Sequence, residues 1–282
     1  MNKSHNRNGI GNVFGTGLKQ LVLIAFSLIA IYPVYYMIVT AFKTRQGWLH
    51  DQFGFPNPIT FQNFSDALNR GNIPLWFGNS VVVTVVSIII TTIVSALAAY
   101  AIARFHFVGR SAFFNILIAL MVVPPAVLIL PLFVLMVNIG LVNTLTGVII
   151  IYSGLLIPFS VYLLVSFFRN LPSELFDAAA IDGCNSFETL IRIVMPLSTP
   201  ALVTLVVVNA LFVWNELLIA LVFLQSEKIQ TLMPGLTLFK GHFTLNEPLI
   251  MAGTLIATLP MILLYLFGQR FFVEGMIAGA VK

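Results

Sequence analysis

The sequence predicts an all-α fold: a polytopic membrane protein with six transmembrane helices. Three observations carry that prediction. Charged residues make up 9% of the 282, and hydrophobic residues 59%, with a mean hydropathy of +1.00; a typical soluble domain is about 25% charged. Six predominantly apolar runs, at residues 18–42, 77–103, 112–137, 144–168, 200–224 and 249–272, are long enough to cross a ~30 Å hydrocarbon core. The period-2 alternation of a membrane barrel is absent. The pI near 9.3 does not point to nucleic acid, because the basic residues stand singly at the ends of apolar runs. The single cysteine, Cys184, leaves no intrachain disulfide.

The elements follow in order. Residues 1–17 form an N-terminal tail, residues 18–272 the transmembrane domain, and residues 273–282 a C-terminal tail. The first run is too long for a signal-peptide core and no small-residue cleavage pattern follows it, so it reads as a retained span. In the loop at 43–76, Pro56 and Pro58 interrupt regular structure. Thr60 then caps a short helix with Phe61, Phe64 and Leu68 on one face, lying at the membrane surface. The second run carries Ser80, Thr84, Ser87, Thr91 and Ser95 at three- and four-residue steps. Such a stripe fits a close helix–helix seam or the border of a polar pathway, and the seam is the commoner use. Residues 104–111 make a short basic loop and 138–143 a tight connection. Residues 225–248 form a polar loop containing His242. Pro33, Pro124, Pro125, Pro158 and Pro260 fall inside runs, where proline kinks or breaks a helix.

Orientation follows from the cations. Lys3, Arg7, Lys19, Arg104, Arg110, Arg169, Arg192, Arg270 and Lys282 fall on one side; Lys43, Arg45, Arg70, Lys228 and Lys240 on the other. The positive-inside rule then puts both termini, and the segment between spans four and five, in the cytoplasm.

That segment reads ELFDAAAIDGCNSFETLIRIVMP and holds Glu174, Asp177, Asp182 and Glu188, four of the chain's 10 acids. Ser173 caps a first helix whose opening turn carries Glu174 and Asp177, where the helix dipole favours acids. Gly183 ends it in a left-handed conformation. Asn185 and Glu188 form a capping box for a second helix, which Pro196 ends. The result is a two-helix elbow over about 173–195. It fits passive lodging on the bilayer or docking to a protein. Surface-lying helices are rich in lysine and arginine, whereas this elbow has one arginine, Arg192, and an Ala178–Ala180 surface that admits a close neighbour. Docking into a partner's groove is the favoured reading.

Asp177-Ala178-Ala179, three residues, Gly183, nine residues and Ile193-Val194-Met195-Pro196 resemble the cytoplasmic loop of the membrane subunits of ABC importers. In that family Glu stands in place of Asp177, and Leu in place of Met195. Tyr32-Pro33, Asn79-Ser80, Tyr100 to Arg104, Trp214-Asn215-Glu216 and the tail QRFFVEGMIAGAVK are similar to the maltose and multiple-sugar branch, in the same order along nearly the whole chain. The resemblance implies that the elbow is a coupling helix, with Glu174, Asp177, Ala178, Ala179, Asp182, Gly183, Glu188 and Pro196 meeting an ATP-binding subunit. It also implies a permease heterodimer, two ATP-binding cassette subunits that bind ATP and Mg, an extracytoplasmic sugar-binding protein, and a place in a prokaryotic inner membrane. This chain is then a transport subunit rather than an enzyme and binds no cofactor itself. It contains no Gly-x-x-x-x-Gly-Lys-Ser/Thr phosphate loop.

Glu216 is the only acid within a run, roughly 24 Å along a helix begun at Pro200. With Asn209, Trp214 and Asn215, and with Tyr152 from the fourth run, it offers amide, carboxylate and aromatic groups suited to an uncharged, hydroxyl-rich solute. A structural hydrogen-bond network is the rival reading of these residues. Glycerol phosphate is an alternative cargo, but the spans supply no clear cation for it. An ion-coupled secondary transporter would need more intramembrane acids or histidines; His5, His50, His106 and His242 lie in tails and loops.

Overall fold

The computed structural model describes residues 9–70, 72–242 and 246–280, with side chains described from Lys19 to Gln269 apart from residues 70, 71 and 243–245. Its regular elements are all helical. The expected tails fall partly outside the described residues; the first helix, α1, already begins at Gly9, and the last continues to Ala280.

Two compact units form, one from the chain up to Asn69 with His242–Leu255, the other from Arg70–Gly241 with Ile256 onward. In the first unit α1 (Gly9–Ala41) leaves most of its apolar surface uncovered from Lys19 to Ile38, as suits a helix facing lipid. It passes through Pro33 without ending. The carbonyls at and just past its end are served by Asn63, whose Nδ2 donates to Ala41 O at 2.8 Å and Lys43 O at 2.7 Å. Lys43 Nζ is buried and donates to Asp51 O at 2.7 Å. Thr44 caps α2 (Arg45–His50) through the Gly47 N–H. The expected amphipathic helix is α3 (Gln62–Arg70), with the Thr60 hydroxyl accepting from Gln62 N at 3.1 Å.

The second unit is built on two long helices, α4 (Ile73–Arg104) and α7 (Leu145–Arg169). The serine–threonine stripe is buried at Ser80, Thr84, Ser87, Thr91 and Ser95; Ser80 Oγ accepts from Leu232 N at 2.8 Å, and the middle of the stripe faces α7. Ser87 Oγ and Thr91 Oγ1 donate to the Ile149 and Ser153 carbonyls at 3.4 and 3.3 Å. Interhelical hydrogen bonds in membranes average only about 0.6 kcal/mol, so close packing of small side chains is the larger contribution. The pathway reading of the stripe is set aside by this burial.

The third run is two helices, α5 (Arg110–Leu120) and α6 (Pro125–Asn138), bent 103° across the break from Met121 to Pro124. Pro158, by contrast, sits within an unbroken α7. The tight connection holds: Gly140 and Asn143 have positive φ, and Asn143 Oδ1 accepts from Gln225 N and Ser226 N at 3.0 and 2.9 Å.

After α7 come α8 (Glu174–Ile181), α9 (Ser186–Thr189), a π-helical segment Leu190–Val194, α10 (Met195–Leu197) and α11 (Thr199–Asn215). The fifth run, expected as one helix over 200–224, is broken: α11 stops at Asn215 and α12 (Leu218–Phe223) follows. The polar loop at 225–248 is also corrected. It contains a 3₁₀ turn, Glu227–Ile229, and α13 (Leu232–His242), which buries Leu232, Pro234, Gly235 and Phe239. A Cβ at Gly235 would run into the Trp76 ring, so glycine here permits close packing on α4. The last helix, α14 (Glu247–Ala280), carries Pro260 within it. The four long spans plus two bent pairs make up to six crossings.

Candidate functional site

The elbow follows the capping logic of its sequence closely, with two departures. Gly183 adopts φ +77°, and the Cys184 and Gly183 N–H groups donate to the Ala179 and Ala180 carbonyls at 2.9 and 3.1 Å. This 6→1 and 5→2 pairing is a Schellman stop. Asn185 Oδ1 accepts from Phe187 N and Glu188 N, and Glu188 returns a carboxylate oxygen to Asn185 N at 3.0 Å, the reciprocal capping box. Ser173 is the first departure. It holds the N-cap position of α8 with helical backbone angles and makes no side-chain cap; its carbonyl alone receives the Phe176 and Asp177 N–H groups. Pro196 is the second. It does not end the helix, which bends 79° only at Ser198. The π turns at 190–194 precede the proline, whose missing N–H already interrupts α-helical bonding.

Glu174, Asp177, Ala178, Asp182, Gly183 and Pro196 are exposed, Glu188 is half-buried, and Ala179 is buried against the protein. Exposed apolar side chains stand among the acids: Ile181 at 86% and Phe187 at 59%. Asp182 caps the C-terminal end of α8, where the helix dipole disfavours a negative charge.

Two residues that sequence reasoning gave no role tie the elbow to the long helices. Arg104 Nη2 donates to Phe168 O and Leu171 O, both at 2.9 Å, and its guanidinium lies 3.4 Å over the Phe176 ring of α8. One turn earlier Tyr100 is buried in one cluster with Leu190 and Val194, just past α9. The end of α4 therefore grips the end of α7 and the elbow at α8 and just past α9. Tyr100 and Arg104 stand four residues apart on one helical face, the signal that could have found this clasp.

The five residues read from spans four and five do not gather in one place. At the break after α11 the Glu216 carboxylate accepts from Ile219 N at 3.0 Å and Ala220 N at 3.1 Å, and the Tyr152 hydroxyl donates to it at 2.7 Å. Glu216 thus caps the start of α12 after the chain has left its helix. Trp214 is buried and donates to Ala257 O at 3.1 Å. Asn215 is exposed and bonds back to Leu211 O. Asn209 is fully buried, with Nδ2 on Ser160 Oγ at 2.9 Å.

Residues 92–276 match the family model described as the inner membrane component of binding-protein-dependent transport systems. The chain is 36% identical to the melibiose/raffinose/stachyose import permease protein MelC of Bacillus subtilis, over 89% of this chain and 91% of that one. It is 31% identical to the trehalose/maltose transport system permease protein MalG of Thermococcus litoralis, over 94% and 98% respectively. In fold it matches the crystal structure of a bacterial ABC transporter involved in the import of alginate, with a TM-score of 0.81 and 23% identity, covering 96% of this chain and 100% of that one. The chain belongs to the family of inner membrane components of binding-protein-dependent transport systems, as a polytopic permease.

Proposed function

We propose that the chain is a permease subunit of an ATP-driven ABC importer that moves a di- or oligosaccharide inward by alternating access. Both termini and the elbow face the cytoplasm, and the elbow is the coupling helix seated in an ATP-binding subunit. A second permease subunit completes the pathway, two ATP-binding cassette subunits bind ATP and Mg, and an extracytoplasmic binding protein delivers the sugar. The cargo class is supported by relatives named for melibiose, raffinose, stachyose, trehalose and maltose. The delivery step is supported by a structural neighbour, at TM-score 0.69, solved with an oligosaccharide-bound periplasmic protein.

One observation carries the coupling role: the elbow presents Ile181 and Phe187 to solvent beside exposed acids, of which Glu188 pairs with Arg192 at 3.5 Å, while Arg104 clasps it to α4 and α7. A surface that greasy and acidic gains by being covered with protein, and the clasp gives movement of that protein a rigid route to the spans. Asp177, Glu174 and Glu188 also set the helix starts, and Asp182 meets a partner's cation. Glycerol phosphate fits less well: the cations of the candidate spans stand in terminal turns, apart from Arg192 in the elbow.

The test is Gly183→Val in the reconstituted importer. A β-branched residue resists φ +77°, so the elbow distorts while the spans still insert. Uptake is expected to fall at least tenfold, with weaker retention of the ATP-binding subunits. Normal uptake with normal retention would overturn the coupling assignment.

A further inference from the structure

A cavity of about 370 Å³ opens beside the α5–α6 break, walled by Met121, Pro125, Gly154, Phe159, Asn209 and Phe212. Its volume lies within the roughly 300–1,000 Å³ range of small-molecule sites. Most of the wall is apolar, and its polar groups are of one kind. Asn209 is fully buried, its amide N–H₂ is used by Ser160, and its Oδ1 has no hydrogen-bond partner. Pro158, also in the wall, has no N–H to give the Gly154 carbonyl four residues before it. The wall offers an orphaned acceptor in Asn209 Oδ1, with neither a cation to hold an anion nor a carboxylate to neutralise a cation. An uncharged ligand bearing hydroxyls satisfies this set, and the Phe159 and Phe212 rings suit the apolar C–H face of a pyranose.

We infer that this cavity is a subsite for one neutral sugar ring, which donates a hydroxyl to Asn209 Oδ1. The inference rests on the sugar-permease reading and deepens it, because the same wall disfavours a phosphorylated cargo. Gly154 supplies the space: a side chain built there meets nothing within 4 Å, so a larger residue fills the cavity without displacing backbone.

The complete importer, with its partner subunits and binding protein, is reconstituted in proteoliposomes. ATP-driven uptake is measured with radiolabelled raffinose and maltose, and with glycerol 3-phosphate as the anionic probe. Wild type is expected to carry at least one of the sugars and not the anion. At saturating sugar, Gly154→Leu is expected to lower uptake about tenfold, with melting temperature and basal ATPase unchanged; Asn209→Leu is expected to lower it in the same direction. If wild type carries no sugar, or carries the anion instead, the sugar-permease reading fails and the subsite with it. If wild type carries sugar and Gly154→Leu carries it equally well, the subsite alone is wrong. Loss of a co-purified lipid from Gly154→Leu, seen by mass spectrometry with uptake intact, would make the cavity a lipid site and likewise overturn the proposal.

Discussion

The chain interrupts its helices at two chemically different places, Gly183 in the elbow and Glu216 after α11. At Gly183 the exposed backbone is finished by local means, a Schellman stop and a capping box within ten residues, and the apolar side chains of Ile181 and Phe187 beside it are left uncovered. At Glu216 the reverse holds. The break lies in an apolar run, and one carboxylate, itself held by a distant tyrosine hydroxyl, satisfies the freed N–H groups from inside the protein. A break in lipid must close its own hydrogen bonds, since no water is there to do so. A break in water can leave surface for a partner. This contrast separates the two sets of residues named from the sequence: most of the elbow set is exposed, Ala179 and Glu188 apart, whereas Tyr152 and Glu216 spend their polar atoms on each other and on the backbone.

Removing the carboxylate at the buried break tests this contrast with the largest effect. Glu216→Leu orphans the Ile219 and Ala220 N–H groups and the Tyr152 hydroxyl. At about 1–3 kcal/mol for each buried unsatisfied group, the loss is on the order of 4 kcal/mol, enough for a large drop in detergent melting temperature. Glu216→Gln keeps an acceptor oxygen and should recover more than half. A Glu216→Leu protein that melts like wild type would show that the break is held by something else.

Next comes the clasp. Arg104→Ala removes two hydrogen bonds from a charged donor, worth about 2–3 kcal/mol together after partial exposure is allowed for, and its contact with Phe176. The melting temperature should drop modestly, and uptake by the full importer should fall more steeply than stability does. Arg104→Lys, which cannot span both carbonyls and the ring with one ammonium, should be intermediate. Uptake that merely tracks the amount of folded protein across the two variants would reduce Arg104 to a structural role.

The capping box should cost less. Asn185→Ala removes a side-chain cap worth about 1 kcal/mol. Its effect is confined to faster amide exchange over Ser186–Thr189, because the elbow's ends are held separately by Arg104 and Tyr100.

The two breaks were not equally legible. Gly183, Asn185 and Glu188 announce themselves at fixed local spacing, and the structure places each as that spacing requires. The serine–threonine stripe of α4 was legible for the same reason: periodicity is local. The break at Glu216 was not, because it depends on Tyr152, 64 residues away, and hydropathy is blind to a single carboxylate in an apolar run. The prolines show the same limit. Pro33, Pro158 and Pro260 stay inside helices and Pro124–Pro125 does not, which packing decides rather than the residue. Helix α13 was missed because Pro234 and Gly235 signal a turn to a local reading, while the Trp76 ring across the unit is what requires that glycine.

The smallest effect is expected at a third capped carboxylate, Asp51, which repeats the Glu216 arrangement in full solvent. Its Oδ1 accepts from Gly54 N at 2.8 Å and Phe53 N at 3.0 Å, and these backbone N–H groups hold its carboxyl below the usual carboxylate value. A depressed carboxylate pKa stabilises the folded turn above the unfolded value of ~3.9, and that support is lost as pH falls through the folded value. Amide exchange at Phe53 and Gly54, corrected for intrinsic rates, should therefore be flat from pH 7 to about 5 and quicken only below about 4. Asp51→Asn keeps an oxygen for the same two N–H groups and should show no such rise. A rise of equal size in both proteins would mean that the acid loosens the turn through some group other than Asp51.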